Sequence, residues 1–561
     1  MKITIVRDLV EFIEFLGVDL AFGVSGGFVM PIWQELTRSK KINVIHCRTE
    51  AGSVFCASEY SLCHNKISIS FATAGPGISN ALTGLKTAKL DGARLIFISV
   101  ITTEYHDALW SLQETTAINV STLVQDDGQG YLDKVFAIKN EDEYLQARND
   151  IQKLISSNKH FVIGVFLMPV VQTLTIEKRI LANFPAPANL TNLVSSADFS
   201  MLIELLLVKK SLFWLGFGAR YAGSNIQKII QLTNSAVITT PRGKGIISEY
   251  SLASIGTTGI GSISKEITKQ ITGDSSRYVV VIMGTRLGEF SAFYLQKNFS
   301  NIDLFYIGLE ADKVINNLPS NAIVFKSDIQ CFTETLLGAL QNKVIHKPAV
   351  QYPALMVEFV DYIIKDNNDS DKVIHPLAVM NIIQRVAINK NNCYIAADAG
   401  NSFCWASHYL KFSQSGRYRL GTAFAAMGHY ACGLVGIAAG FKECAIGIIG
   451  DGAMLMANEV STAVHYHLPA IWLVMNDSSY NMCRQGLSDP LDCDIPVTDF
   501  ALFGRALGAD GYQANNSQQL EDAIVEAIKN RNPAVIDVRI DKNAVPPLKD
   551  RNETIKGFIN D

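Results

Sequence analysis

The 561 residues are 48% hydrophobic and 18% charged, with a formal net charge of −4, a balance that excludes an intrinsically disordered or nucleic-acid-binding chain. No basic tract and no apolar run long enough to span a bilayer occurs, and the opening Met-Lys-Ile-Thr-Ile-Val-Arg-Asp lacks the apolar segment of a signal peptide. Ten scattered cysteines with no CxxC pair support neither zinc binding nor a disulfide framework, so a reduced, cytoplasmic setting without a membrane partner is expected.

The length is too great for one core and predicts three domains. Residues 20–24, 42–46, 67–71 and 95–99 read as short buried strands, with helical patterns over 50–62 and 78–89 between them. Alternation of this kind predicts a parallel sheet with helices on both faces. Beyond a Pro-rich linker at 183–189, a second unit carries a strand entering a glycine turn, Leu212-Phe-Trp-Leu-Gly216-Phe-Gly218-Ala-Arg220, and a further strand at 278–283. Another Pro-containing linker, 347–353, precedes the third unit. The expected fold class is α/β, with three doubly wound parallel-sheet domains at 1–180, 195–343 and 365–548.

The third unit holds the most informative run. An apolar strand at 444–450 leads into Gly450-Asp451-Gly452-Ala453, a helix is expected over 456–467, and a second apolar strand at 471–475 leads into Met475-Asn476-Asp477-Ser478-Ser479-Tyr480-Asn481. In one βαβ unit both aspartates fall at carboxyl ends of neighbouring strands, where open α/β sheets bind ligands. Two hard oxygen donors suit Mg²⁺, which completes its octahedron with phosphate oxygens and water. The glycines let backbone amides and a helix N-terminus approach a phosphate. Gly-Asp-Gly also occurs in ordinary turns, but here its second half follows at a spacing that one βαβ unit explains.

This constellation resembles the diphosphate-anchoring motif of thiamine diphosphate (ThDP) enzymes. The resemblance implies that Asp451 and Asp477 bind Mg²⁺ through side chains and Ser479 through its carbonyl, with Gly450, Gly452 and Ala453 against the diphosphate. Asp477 departs from the pattern, whose commoner residue is Asn, and the spacer leading to Glu459 is slightly short. Asp398-Ala-Gly400-Asn401-Ser402, after another strand, is implied to supply further polar contacts. Gly421-Thr-Ala-Phe-Ala-Ala-Met427-Gly428 resembles the segment whose apolar side chain props the cofactor into its bent form, a role that falls to Met427; a plain core methionine would read the same way.

In the first unit, Arg48-Thr-Glu50-Ala-Gly52 puts a carboxylate at a helix start behind a buried strand, where restricted solvation tunes its pKa. Taken alone, such a Glu is also an ordinary first-turn acid complementing the helix dipole. Together with Phe22-Gly-Val-Ser-Gly-Gly-Phe-Val-Met-Pro31, Thr73-Ala-Gly-Pro-Gly77-Ile-Ser-Asn80 and Leu112-Gln-Glu114, it resembles the pyrimidine-binding domain of acetohydroxyacid synthases and related decarboxylases. That resemblance implies Glu50 as the carboxylate activating the aminopyrimidine, Gly26, Gly27 and Gly77 along the cofactor, and Gln113 near the substrate.

Departures point to the substrate. His106 stands alone where simple 2-oxo acid decarboxylases carry a His pair, and Ser25 stands where the synthases usually have Pro. Phe290 occupies the place of a second Arg four residues after Arg286, and an aromatic ring cannot clamp a carboxylate, so the acceptor is expected to be an aldehyde or ketone. His429 is either an acid or base at the reactive end of the cofactor or a satisfied core histidine. Arg484 and Gln485 either bind a substrate carboxylate or solvate a surface helix. Gly216 to Arg220 and Pro241-Arg-Gly-Lys-Gly245 resemble segments lining an FAD or nucleotide cleft, although a lone GxG equally serves strand–helix packing.

The expected function is decarboxylation of a small, pyruvate-like 2-oxo acid and ligation of the acyl anion to a carbonyl acceptor, by a homodimer or homotetramer with active sites at the subunit interface. The rivals are a flavin-dependent oxidase, a non-ligating decarboxylase and an inert ThDP-binding regulatory subunit. The joint presence of Glu50 and the Asp451–Asp477 pair stands against the last of these.

Overall fold

The computed structural model describes residues 2–102, 112–125, 128–157, 160–178, 196–259, 278–288, 291, 302–341, 343, 373–441, 443–486 and 492–547. Within them the chain alternates strand and helix, and three six-stranded sheets result, every neighbouring pair parallel. A short strand β1 (Lys2–Thr4) stands outside them. The first sheet comprises β2 (Leu20–Gly23), β3 (Asn43–His46), β4 (Ser68–Phe71), β5 (Arg94–Val100), β6 (Lys134–Ile138) and β7 (Phe161–Leu167), in the order β3-β2-β4-β5-β7-β6. β8 (Thr175–Glu177) returns to pair with β1 antiparallel.

The middle sheet comprises β9 (Lys210–Leu215), β10 (Ala236–Thr239), β11 (Ser254–Thr257), β12 (Tyr278–Met283), β13 (Asp303–Ile307) and β14 (Ile323–Phe325), ordered β11-β10-β9-β12-β13-β14. That is the strand order of the dinucleotide-type doubly wound fold. The third sheet comprises β15 (Tyr394–Ala397), β16 (Tyr418–Leu420), β17 (Ala445–Gly450), β18 (Ala470–Asn476), β19 (Asp510–Ala514) and β20 (Ala534–Arg539), ordered β16-β15-β17-β18-β20-β19. Counted within each sheet, its order repeats that of the first. Central strands such as β4, β12 and β18 are buried along their whole length, because helices cover both faces and continuous apolar runs are needed.

The outer sheets share one core. Val54, Cys56 and Tyr60 of the helix Glu50–His64 pack in the same cluster as Ala431, Leu434 and Val435 of the helix His429–Gly440. The approach is close because Gly436 faces the backbone of Cys56, and any side chain there would overlap it. Among the described residues no helix is long and apolar enough to cross a membrane.

One expected element differs. The helix expected over 456–467 forms only over Val460–His465, and a separate short helix, Asp451–Met454, precedes it. Between them the chain turns, and the turn delivers the Glu459 carboxylate to backbone amides of Arg48 and Thr49 in the first domain.

Candidate active site

The strand order of the third sheet reverses between β15 and β17, the place where an open α/β sheet forms its crevice. Asp451, at the tip of β17, is 4% exposed; its Oδ1 accepts the Gly452 amide at 2.7 Å and its Oδ2 the Ser479 amide at 3.2 Å. Gly452 has no room for a side chain, since a Cβ would run into the Tyr480 ring. Asp477, at the tip of β18, accepts from Asn481 Nδ2 at 2.9 Å. Burial first, and then the nearby Asp451, push its carboxyl up to about 7. Burial likewise raises Asp451, against the pull of surrounding backbone amides.

A buried carboxylate beside a half-buried one whose ionisation it opposes, with only neutral hydrogen-bond donors on the two, fits a hard divalent cation. The Ser479 amide and hydroxyl are engaged with Asp451 and Cys493. Its carbonyl accepts no hydrogen bond among the described residues, and so is the group left to a metal.

The loop after β15 stands beside them. Gly400 has φ +117, a conformation that favours glycine, and it starts the helix Asn401–Tyr409. Asn401 donates Nδ2 to Gln485 at 3.1 Å, leaving its Oδ1 buried without a partner among the described residues. The buried Ser402 turns its hydroxyl toward Gly450. The 400–402 segment thus meets the 450–453 segment at Ser402 and Gly450. Asp398 does not join them: its carboxylate takes the amides of Gly428, Tyr430 and Ala431 at 3.0–3.2 Å and so caps the helix His429–Gly440. The expectation that Asp398 contacts a diphosphate is therefore corrected. A buried carboxylate beside a bare helix start is drawn to its amides.

Just before that helix, Ala425 and Gly428 adopt positive φ, and Met427 is 41% exposed between them. A core methionine is ruled out by that exposure. His429 turns the other way. It is 1% exposed, its Nε2 lies 3.1 Å from Glu59 Oε1, and its ring stacks on Phe55 and Tyr430. The acid–base role gives way to that of an interdomain histidine held through Nε2, with its Nδ1 buried and without a partner among the described residues. Arg484 is tied to Asn481 and the Lys542 carbonyl, and Gln485 to Asn401 and the Ala544 carbonyl, so both brace the Asp477 turn.

The strand order of the first sheet reverses between β2 and β4. A Cβ on Gly26 would stand 2.5 Å from Thr73, and one on Gly77 would stand 3.1 Å from it. Thr73 donates to Gln113 Oε1 at 3.0 Å, and Gln113 holds φ +56, a strained conformation for a non-glycine residue. Gly27 faces open space. Thr73 and Gly75, which packs against Gln113, are members of this cluster that the sequence showed only as part of a Gly-rich run. Glu50 opens the helix Glu50–His64, with Thr49 as N-cap, and accepts from Asn80 Nδ2 at 3.3 Å.

In the middle domain, Gly216 and Gly218 press against Gly284, with no space for a Cβ on either. Arg220 and Arg242 stack on Phe217 at 3.9 and 4.3 Å, and Arg242 pairs with Asp91 of the first domain at 2.9 Å. Arg286 pairs with Glu310 and reaches the Leu90 carbonyl. Of the groups on which the FAD expectation rests, Gly216 and Gly218 are thus engaged in packing within the middle domain and Arg242 in a contact with the first. His106 and Phe290 lie outside the described residues.

Comparison with known sequences agrees with this layout. Residues 3–120 match the family described as thiamine pyrophosphate enzyme, N-terminal TPP binding domain, and residues 398–538 match its C-terminal TPP binding domain. Both cofactor-binding domains of the thiamine pyrophosphate enzymes are matched in this chain. The chain is similar to the acetolactate synthase large subunit of Porphyra purpurea, 23% identical over 94% of this chain and 90% of the relative. It is also 22% identical to the acetolactate synthase isozyme 3 large subunit of Escherichia coli (96% and 94% covered). The Haemophilus influenzae acetolactate synthase large subunit is 23% identical (97% and 96%). The chain is a ThDP-dependent enzyme, and each of its outer sheets carries one reversal of strand order beside the segments described above.

Proposed function

We propose that this ThDP enzyme also requires Mg²⁺, decarboxylates a small 2-oxo acid and transfers the acyl unit to a carbonyl acceptor. The observation that carries the reading is the Asp451–Asp477 pair, the first buried and the second half-buried on adjacent strand tips, with the Asp477 carboxyl pushed up to about 7. Asp451, Asp477 and the Ser479 carbonyl would hold the metal, and the Gly400–Ser402 and Gly450–Ala453 segments the diphosphate. Met427, exposed on its loop, would support the cofactor's bend. Bound ThDP supplies a carbanion that accepts the acyl carbon and stabilises the charge left when carbon dioxide departs. Glu50 holds a proton at its carboxyl for the aminopyrimidine, oriented by Asn80. Gln113, fixed by Thr73, binds and orients the substrate.

Ligation rather than protonation requires that water be kept out. Phe424, Met427, Leu455, Met456 and Tyr480 are exposed around one half of the site, and Met30, Leu112 and Ile118 are exposed on the first domain. Apolar groups flanking both half-sites support closure by a second copy, hence a homodimer or homotetramer. Sedimentation of the purified chain checks this.

The decisive experiment is NMR product analysis with ThDP, Mg²⁺ and pyruvate, with and without added aldehydes. Acetolactate or a mixed hydroxyketone is the expected product. Acetaldehyde or acetate alone would overturn ligation in favour of a decarboxylase or an oxidase.

A further inference from the structure

Two buried carboxylates cross between the outer domains in opposite directions. Glu459 belongs to the third domain and is 0% exposed. It accepts the Arg48 amide at 3.0 and 3.2 Å, the Thr49 amide at 3.0 Å, the Thr49 hydroxyl at 3.3 Å and the Thr462 hydroxyl at 2.5 Å. Those amides immediately precede Glu50. Gly52 is part of the fit, because a Cβ there would meet Glu459 Oε1 at 2.5 Å.

Glu59 is the counterpart. It belongs to the first domain, is also 0% exposed, and takes Arg419 Nε at 2.8 Å and Nη2 at 3.1 Å. His429 Nε2 lies at 3.1 Å and Tyr430 Oη at 3.3 Å from the same carboxylate. His429 and Tyr430 open the helix that directly follows Met427 and Gly428. These two helix starts, one opening with Glu50 and one directly following Met427 and Gly428, are therefore each gripped by a carboxylate from the opposite domain.

Stability alone is a poor explanation for this arrangement. Replacing a buried ion pair by apolar side chains of similar volume is often neutral or stabilising, whereas fixed geometry needs directional bonds. Glu59, Asp91 and His429 gather within 4.8 Å, a spacing that could suit a cation, but Arg419 and Arg242 already neutralise the acids. Burial raises the Glu59 carboxyl, and Arg419 with His429 more than reverses this, leaving it below the usual range and ionised.

We infer that Glu459 and Glu59 are positioning residues: Glu459 sets Glu50, and Glu59, through Arg419, His429 and Tyr430, sets the loop carrying Met427. This rests on the ThDP roles given above to Glu50 and Met427. Because both carboxylates act within one chain, a disturbance at the Asp451 loop is passed directly to the Glu50 helix start, eight residues along from the loop to Glu459.

The test uses the full chain, first without cofactor. Hydrogen–deuterium exchange is measured for wild type, Glu459→Gln and the apolar double variant Glu59→Leu with Arg419→Met, which avoids stranding a buried arginine. Exchange should quicken about tenfold or more over 48–53 in the first variant and over 428–432 in the second, with the rest of the pattern unchanged. In the loaded enzyme, Glu459→Gln should lose roughly tenfold in kcat with KM and ThDP affinity little altered, the mark of a misplaced catalytic group. The double variant should keep its Tm but bind ThDP several-fold more weakly. Unchanged local exchange, or a uniform loss of protection that merely follows Tm, would overturn the inference. Local quickening in a chain whose wild type binds no ThDP would keep the two clamps and sink the ThDP reading instead.

Discussion

The first and third sheets have the same strand order and reverse at the same place, yet they are furnished differently. The third places carboxylates at its crevice: the buried Asp451 and the half-buried Asp477 at strand tips, with the buried Asp398 capping the neighbouring helix. The first places glycines and hydroxyls there, Gly26, Thr73 and Gly77 around Gln113, and leaves Glu50 partly exposed with only Asn80 on its side chain among the described residues. Topology supplies the crevice, and the loops decide whether it grips an ionic group or orients a ring. A doubly charged diphosphate with its metal needs fixed counter-ligands, whereas a flat heterocycle needs close backbone approach and one well-placed proton.

The contrast breaks most sharply at Glu50. Glu50→Gln should leave ThDP binding intact by calorimetry and lower turnover by about 10²–10⁴-fold, the range for a lost acid–base group. Asp451→Ala attacks the other half and should weaken Mg²⁺-dependent ThDP binding on the order of 100-fold, measured by the same titration. If both variants failed in binding alone, the division of labour between the sheets would be wrong. Gly452→Ala tests the packing beneath the metal loop: the Tyr480 ring must move, and thermal unfolding should show a loss of about 1–3 kcal/mol.

Asp477→Asn is subtler. It removes a carboxyl that burial first, and repulsion from Asp451 second, push up to about 7, so the metal-free chain should gain a few degrees in Tm at pH 8. Its Mg²⁺ affinity should fall only several-fold, since an amide oxygen still coordinates. The smallest effect is a pH dependence at Glu59. Its folded carboxyl lies below the ordinary 4.5, so the stability it contributes is complete above that value and is lost as pH falls through the folded one. The Tm difference between wild type and Glu59→Gln should be flat above about pH 5 and shrink in more acid solution.

The α/β class, the strands at 20–24, 67–71 and 471–475 and the helix from Glu50 were legible because each is written in a local run: apolar stretches of strand length, glycine turns and an N-cap. The Asp451–Asp477 pairing was legible for the same reason, both residues lying within one βαβ unit. The direction in which His429 and Asp398 point was not. His429 follows Met427 by two residues, but its ring is claimed by Glu59, 370 positions away in sequence. Asp398 follows a strand like a ligand-binding residue, but three amides of another helix start take its carboxylate. The glycines of 216–218 looked like a nucleotide turn and are used for contact with Gly284.

The sequence by itself determined which segments become strands and helices and which residue types stand at the strand tips, since propensity and periodicity act over a few residues. Only the tertiary structure decided which side chains face the crevice and which are drawn across domain boundaries, because a buried charge goes to whichever partner can satisfy it, and here those partners lie hundreds of residues away.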